Sequence, residues 1–123
     1  MSKPTQEQVK KLWEWCGFER LPEGKKNYHF ERGTGDFHFL AHKVMNWQAP
    51  DGSIMPYLPS PTLDSLFQWA TRELAAKGID GFEAQHTVDG WHWEISDGLL
   101  DLAAAEDQDP ALALFWAIWQ VIE

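Results

Sequence analysis

The sequence predicts an α+β protein: a small, mostly antiparallel sheet covered by about three helices, in the order α-β-β-α-β-β-α. Three helices can be placed by their caps and apolar stripes. Two Asp-Gly turns, Asp51–Gly52 and Asp89–Gly90, each join apolar segments, and turns this tight connect antiparallel strands. Helices packed on such a sheet give an α-β-α sandwich-like arrangement. We therefore expect a single domain over residues 1–123.

The first helix is predicted from about Gln6 to Cys16. Thr5 can cap its N-terminus, with Gln8 at the reciprocal capping-box position, and Gly17 supplies a left-handed stop. Apolar side chains recur at helical spacing and form the face that we expect in the core: Val9, Leu12, Trp13 and Cys16.

A stretch rich in glycine and charged residues follows the first helix. Residues 19–35 are predicted as a mobile loop, in which residues 28–30 can form a short strand. Apolar and polar residues then alternate over 36–42, which predicts a strand. Residues 44–47 and 53–55 flank the first Asp-Gly turn and predict a hairpin.

The second helix cannot begin before Pro61, because proline breaks a helix interior. Thr62 is its predicted N-cap and Gly78 its stop. The predicted buried stripe consists of Leu63, Leu66, Phe67, Ala70 and Leu74.

A second hairpin is predicted from residues 82–88 and 91–96 around Asp89–Gly90. One face of its second strand is apolar, with Trp91, Trp93 and Ile95, and the other is polar, with His92 and Glu94. This alternation predicts an amphipathic sheet. Residues 99–105 are predicted as a short helical turn.

The last helix is the most apolar part of the chain. Asp109 reads as its N-cap and Pro110 as its first residue. Apolar side chains cover most of its circumference, so the domain or another subunit must cover it. A membrane span needs about 20 apolar residues. The run between Pro110 and Glu123 is shorter, and no membrane anchor is expected.

The charge balance disfavours direct binding to nucleic acid. The chain has 19 acidic and 10 basic residues and a net charge of −9, so it lacks the basic surface that neutralises phosphates. The single cysteine, Cys16, cannot form an internal disulfide, and no apolar leader follows Met1. We therefore expect a cytoplasmic protein.

Histidines on the predicted strands raise the possibility of a metal site. Asp36, His38 and His42 lie on one extended segment, and His86 and His92 of the second hairpin could join them around zinc or another divalent ion. Four residues along a strand span ~13 Å, too far for two imidazoles to share an ion unless the chain bends. Solvent-facing histidines are the simpler interpretation, and no cofactor is expected.

Five of the eight tryptophans are candidates for an interaction surface. Exposed aromatic side chains mark contacts with a partner protein or a second copy of the chain. Core packing or self-association is favoured over ligand stacking, since aromatic residues are enriched in interiors and at interface centres. The candidates are Trp15, Trp47, Trp69, Trp116 and Trp119.

Several segments together resemble a known family. They are Leu12–Phe18, Trp47–Gly52, Leu58–Asp64, Gly90–Trp91 and the closing helix from Glu106 to Ile122. In this order they resemble the phage ABA sandwich domain, a family of small uncharacterised phage and prophage proteins. The resemblance implies a phage or prophage origin and a compact fold, and it brings no catalytic residue with it.

These observations favour a non-enzymatic protein that binds a protein partner or associates with itself, for example as a dimer. Excess apolar and aromatic side chains without converging catalytic groups motivate this interpretation. Two alternatives stay open. One is a metal-binding or metal-dependent hydrolytic domain that uses the strand histidines, and the other is an acidic mimic of nucleic acid that inhibits a host protein.

Overall fold

The computed structural model describes residues 3–22, 28–32 and 40–123, with side chains described for 3–22 and 45–123. Its contacts divide the chain into two compact units. The large unit comprises Met1–Cys16 and Pro59–Glu123, and the small unit comprises Gly17–Leu58. Helices and antiparallel strands occur together, so the α+β class predicted from the sequence is confirmed.

Among the described residues, the elements follow the predicted order of helices and strands, but with more strands: five instead of two between the first and second helices, and three instead of two before the last helix. In chain order they are α1 (Gln6–Trp15), β1 (Glu19–Arg20), β2 (Tyr28–Arg32), β3 (Leu40–Val44), β4 (Trp47–Gln48), β5 (Ile54–Met55), α2 (Leu63–Ser65), a π-helical segment (Leu66–Ala70), α3 (Thr71–Ala76), β6 (Gly81–Thr87), β7 (Gly90–Ser96), β8 (Asp101–Asp107) and α4 (Pro110–Ile122).

The first helix begins at the predicted capping box. The Thr5 hydroxyl accepts a hydrogen bond from the Gln8 N–H at 3.2 Å, and the Gln8 side chain accepts one from the Thr5 N–H at 2.9 Å. Leu12 and Trp13 are fully buried. The Trp13 indole N–H donates to the Pro59 carbonyl at 2.8 Å, which ties α1 to the chain entering the second helix.

The second helix runs without a break through α2, the π-helical segment and α3, with Thr62 as its N-cap as predicted. Leu66, Ala70 and Leu74 are fully buried. The expectation that Phe67 belongs to this stripe is wrong, since its side chain is 43% exposed. A π turn holds more residues than an α turn and therefore changes which residues face the core.

Strands β6, β7 and β8 form one antiparallel sheet in that order. The predicted helical turn over residues 99–105 is wrong, because Asp101–Asp107 is strand β8. Alanine and leucine favour helices locally, but tertiary packing overrides that weak preference. Ala103 and Ala105 alternate as small buried side chains on β8, on the side of the sheet that α4 covers.

The turn between β6 and β7 lies one residue earlier than predicted. Val88 and Asp89 form the turn, and Gly90 already pairs with Thr87 as the first residue of β7. Gly90 has φ +126°, and a Cβ added there would lie 2.7 Å from the Asp107 carbonyl oxygen. Glycine at this position therefore lets the backbone of β8 approach β7 closely.

The last helix is confirmed with its predicted cap. The Asp109 carboxylate accepts a hydrogen bond from the Ala111 N–H at 2.8 Å, and Pro110 is the first helical residue. α4 packs on β7 and β8 and also contacts α1 and the second helix. The large unit thereby encloses its central residues, which are Ala113, Leu114, Phe115, Ala117 and Ile118. No helix in the described part of the chain is long and apolar enough to cross a membrane.

The described residues of the small unit form two antiparallel arrangements. One is a three-stranded sheet in the order β1-β4-β5, and the other pairs β2 with β3. The predicted hairpin at Asp51–Gly52 is confirmed, since β4 and β5 pair across it and Asp51 accepts a hydrogen bond from the Ser53 N–H at 2.9 Å. Strand β1 falls within the stretch predicted as a loop, whereas β2 contains the short strand expected at residues 28–30 and extends to Arg32.

Replacing Gly90 with alanine should destabilise the large unit more than replacing Gly98. Both glycines have positive φ, but an added Cβ at Gly98 meets nothing within 4 Å. We expect Gly98→Ala to cost about 1–2 kcal/mol of unfolding free energy for the backbone alone. Gly90→Ala should cost clearly more, because it adds the collision with β8. Urea unfolding curves measure both, and equal losses would contradict the close approach of the two strands.

Candidate functional site

The sheet of the large unit has one polar face. Trp93 and Ile95 point to the buried side, so the residues that alternate with them lie on the other side. Their register places Glu83 opposite Glu94 and places His92 between Gln85 and Glu106. We call this surface the glutamate face; its five residues, from three neighbouring strands, are Glu83, Gln85, His92, Glu94 and Glu106.

His92 is held between two carboxylates. Its Nε2 lies 3.1 Å from Glu94 Oε1, and its Nδ1 lies 3.0 Å from Glu106 Oε1. The hydrogen bond to Glu94 is the largest effect and raises the pKa of His92 above its ordinary value; burial opposes it, and the hydrogen bond and charge of Glu106 add to the rise. A protonated imidazolium can donate to both carboxylates at once, whereas the neutral ring can donate to only one.

Glu83 and Glu94 form a like-charge pair on adjacent strands. Like charges directly opposite each other destabilise a sheet by a few tenths of a kcal/mol up to about 1 kcal/mol. Protonation of His92 offsets this by neutralising charge beside Glu94. The glutamate face presents negative charge to basic groups, and protonation of His92 reduces that charge.

The stabilising effect of His92 should depend on pH. Its pKa is raised in the folded protein, so its contribution is fully present below the unfolded value of about 6.5 and is lost as pH rises through the folded value. We expect His92→Gln to lower the unfolding free energy by up to about 1 kcal/mol at pH values below about 6.5, and by progressively less as the pH rises above that value. His86→Gln is the control, and urea unfolding at several pH values measures the difference. A loss independent of pH would contradict the role of the two carboxylates.

The residues of the predicted metal site are not brought together where the structure describes them. Asp36 and His38 lie outside the described residues, as does the side chain of His42 on β3. His86 pairs with Trp91, whereas His92 pairs with Gln85, so the two histidines occupy opposite faces of the sheet. Across the described residues, no group of three or more His, Cys, Asp or Glu side chains could hold a metal ion.

Two of the five candidate tryptophans lie beside cationic side chains. Trp47 is buried, with 6% of its surface exposed, and the Arg20 guanidinium lies 5.7 Å from its ring centroid. Trp15 is half-buried, and the Lys77 ammonium lies 5.4 Å from its ring centroid. Both indole rings thus make a cation–π contact within their own unit, and this contact accounts for their positions without a partner protein.

The other three candidates lie on helices and are half-buried. Trp116 meets Phe115 edge-on with ring centroids 5.2 Å apart, and Trp119 lies nearly parallel to Phe115 at 6.2 Å. Trp69 belongs to the π-helical segment. The interaction surface predicted from these tryptophans stays a prediction.

Cys16 is a buried thiol at the end of α1. Burial, with a further effect from the negative charge of Glu73, raises its pKa to about 12. The thiolate is the reactive form of cysteine, so this side chain is protonated and unreactive at neutral pH.

An exposed apolar loop is the feature that the sequence interpretation missed. Leu99 is 91% exposed and Leu100 is 67% exposed in the turn between β7 and β8, which we call the leucine loop (residues 97–100). The Asp97 carboxylate accepts hydrogen bonds from the N–H groups of Leu99 and Leu100 at 2.9 and 2.8 Å. These bonds hold the pKa of Asp97 below its usual value.

The signal for this loop was present in the sequence. Asp97–Gly98 directly follows a strand, as a hairpin turn does, and the Asp97 carboxylate can accept hydrogen bonds from the backbone N–H groups two and three residues later.

Comparison with family models, curated proteins and solved structures finds no match to this chain.

Proposed function

We propose that this protein is a non-catalytic binding module that docks onto another protein through its leucine loop. The observation that carries the proposal is the exposure of Leu99 and Leu100 on a turn that Asp97 holds in one conformation. Exposed apolar side chains lose unfavourable hydration when a partner covers them. A loop already ordered also loses less conformational entropy on binding.

The kind of partner follows from the sequence resemblance. A protein of phage or prophage type would act on a phage or host protein, and the single buried cysteine suits a reducing cytoplasm. The unreactive Cys16 thiol and the carboxylate-bound His92 support binding rather than nucleophilic catalysis.

Replacing the two exposed leucines should strongly reduce capture of the partner without unfolding the protein. We expect the double variant Leu99→Asn and Leu100→Asn to lose at least about tenfold in captured partner, which corresponds to about 1.4 kcal/mol. Its stability should change by less than about 0.5 kcal/mol, as is usual for exposed positions. Quantitative mass spectrometry after affinity capture from source-cell lysate measures the loss.

Val88→Asn is the matched control for this experiment. Val88 is fully exposed in the turn between β6 and β7, so the variant also removes an exposed apolar side chain but leaves the leucine loop intact. Undiminished capture by the double variant, or an equal loss in both variants, would contradict docking through the leucine loop.

The glutamate face favours a second candidate function, an acidic mimic of nucleic acid that blocks a host protein. Glu83, Glu94 and Glu106 lie on one face of a sheet in a chain of net charge −9. Binding of a basic partner by this face should weaken strongly as salt screens the charges, whereas apolar docking should not.

Charge removal tests the second candidate directly. We expect Glu83→Gln combined with Glu106→Gln to reduce capture at low salt and to leave little difference from the unaltered protein at high salt. The exposed residues Glu7 and Glu14 on α1 provide the control, since Glu7→Gln combined with Glu14→Gln makes the same change in net charge. The same effect from both pairs would show a response to total charge and not to the glutamate face.

A further inference from the structure

The two edge strands of the large unit's sheet, β8 and β6, differ in what lies beside their backbone. At the β8 edge, the Gln120 side chain of α4 donates from Nε2 to the Ala104 carbonyl at 2.7 Å and accepts at Oε1 from the Ala104 N–H at 3.4 Å. A side-chain amide thus occupies the position of a further strand. At the other edge, β6 packs chiefly on β7, and residues 83–87 are all exposed.

The hydrogen-bonding direction along β6 follows from its turn. Thr87 and Gly90 flank a two-residue turn, so they form a hydrogen-bonded pair, and bonded and non-bonded pairs alternate from there. The backbone groups of Gly81, Glu83, Gln85 and Thr87 therefore point to β7. Those of Phe82, Ala84 and His86 point away from the sheet. They offer one N–H and one C=O each to a further strand.

Strand β6 has few of the features by which proteins protect an open edge. Its seven residues, Gly81–Thr87, contain no proline or lysine, and its pairing with β7 has no bulge. Apart from His86, Glu83 is its one acidic or basic residue. A regular open edge of this length is a template for pairing with another chain.

We propose that β6 pairs antiparallel with β6 of a second copy of this chain, with Ala84 on the two-fold axis. This inference goes beyond the proposed function, because it uses a different surface and names the partner. The pairing joins two three-stranded sheets into one of six strands. Phe82, Ala84 and His86 then pair with His86, Ala84 and Phe82 of the second copy, and each pair exchanges two backbone hydrogen bonds.

Charge and side-chain chemistry select this register. Glu83 lies opposite Gln85 of the second copy, where the amide N–H groups can donate to the carboxylate, and the two-fold axis repeats this contact. Phe82 lies opposite His86 of the second copy, beside the existing contact of His86 with Trp91 at 4.7 Å. Aromatic cross-strand pairs of this kind stabilise antiparallel sheets.

Pairing of β6 with β6 in either neighbouring register is less favourable. A two-fold axis at Glu83 would place that carboxylate against its own copy, and like charges directly opposite destabilise a sheet. A two-fold axis at Gln85 would place Phe82 against the turn residue Val88 and leave only the pairs between Ala84 and His86. A single pair of strands buries less surface than a standard interface of about 1,600 Å², so we expect a dimer that dissociates on dilution.

Ala84→Pro tests the central pair. Proline at this position removes an N–H that points away from β7, so the β6–β7 hydrogen bonds are retained. Sedimentation velocity over a wide concentration range should show a monomer–dimer equilibrium for the unaltered protein. Ala84→Pro should remain monomeric at the highest concentration with a circular dichroism spectrum like that of the unaltered monomer.

Gln85→Glu tests the register and does not depend on the proline variant folding. It places Glu against Glu twice in the proposed dimer, and we expect the dissociation constant to rise about tenfold. Adding Glu83→Lys to this variant creates two opposite-charge pairs and should restore the dimer. Gln68→Glu is the matched control, because Gln68 is exposed on the π-helical segment and takes no part in the pairing.

The possible outcomes separate this inference from the proposed function. A monomer at every concentration overturns self-pairing and leaves capture through the leucine loop unaffected. A dimer that resists both Ala84→Pro and Gln85→Glu has its interface elsewhere and also overturns the inference. If the unaltered protein stays monomeric and Ala84→Pro abolishes capture of a lysate protein, the β6 edge accepts a strand of that protein and not of a second copy.

Discussion

The large unit depends on the burial of α4. Its central residues have no exposed surface, and β7, β8, α1 and the second helix all contact this one helix. An apolar helix of 13 residues must be covered on most sides, and two alanines of β8 leave room for it against the sheet. The buried face of the sheet is therefore fixed by α4. The side chains that alternate with that face must point to water, which is where the glutamate face lies.

Short local sequence patterns were sufficient to place the N-termini of the helices and the turn at Asp51–Gly52, and they placed the turn between β6 and β7 to within one residue. Thr5, Thr62 and Asp109 cap helices where their sequence context indicates, because a cap depends on a few neighbouring residues. The strand β8 could not be found in this way. Its Leu-Ala-Ala-Ala core is composed of good helix formers, and only packing beneath α4 decides that the segment is extended.

The candidate site was harder to predict because it depends on that strand. Glu106 can meet His92 only when β8 pairs with β7, and the leucine loop exists only as the connection between them. By contrast, the separation of His86 from His92 follows from side-chain alternation in a hairpin with a two-residue turn. It could have been derived from the sequence. The local residues thus determine which face a side chain occupies, while its partners across strands depend on the tertiary fold.

The amide of Gln120 has a consequence for how far this sheet can grow. A sheet with two open edges can add copies at both ends without limit, which is the geometry of a fibre. Here one edge already has its Ala104 hydrogen bonds satisfied from within the chain. An assembly through β6 would use the open edge of each copy and leave outward the β8 edges, at which Gln120 bonds the backbone of Ala104. A single glutamine side chain at the middle of β8 would thereby oppose the addition of further strands and favour a closed pair over a fibre.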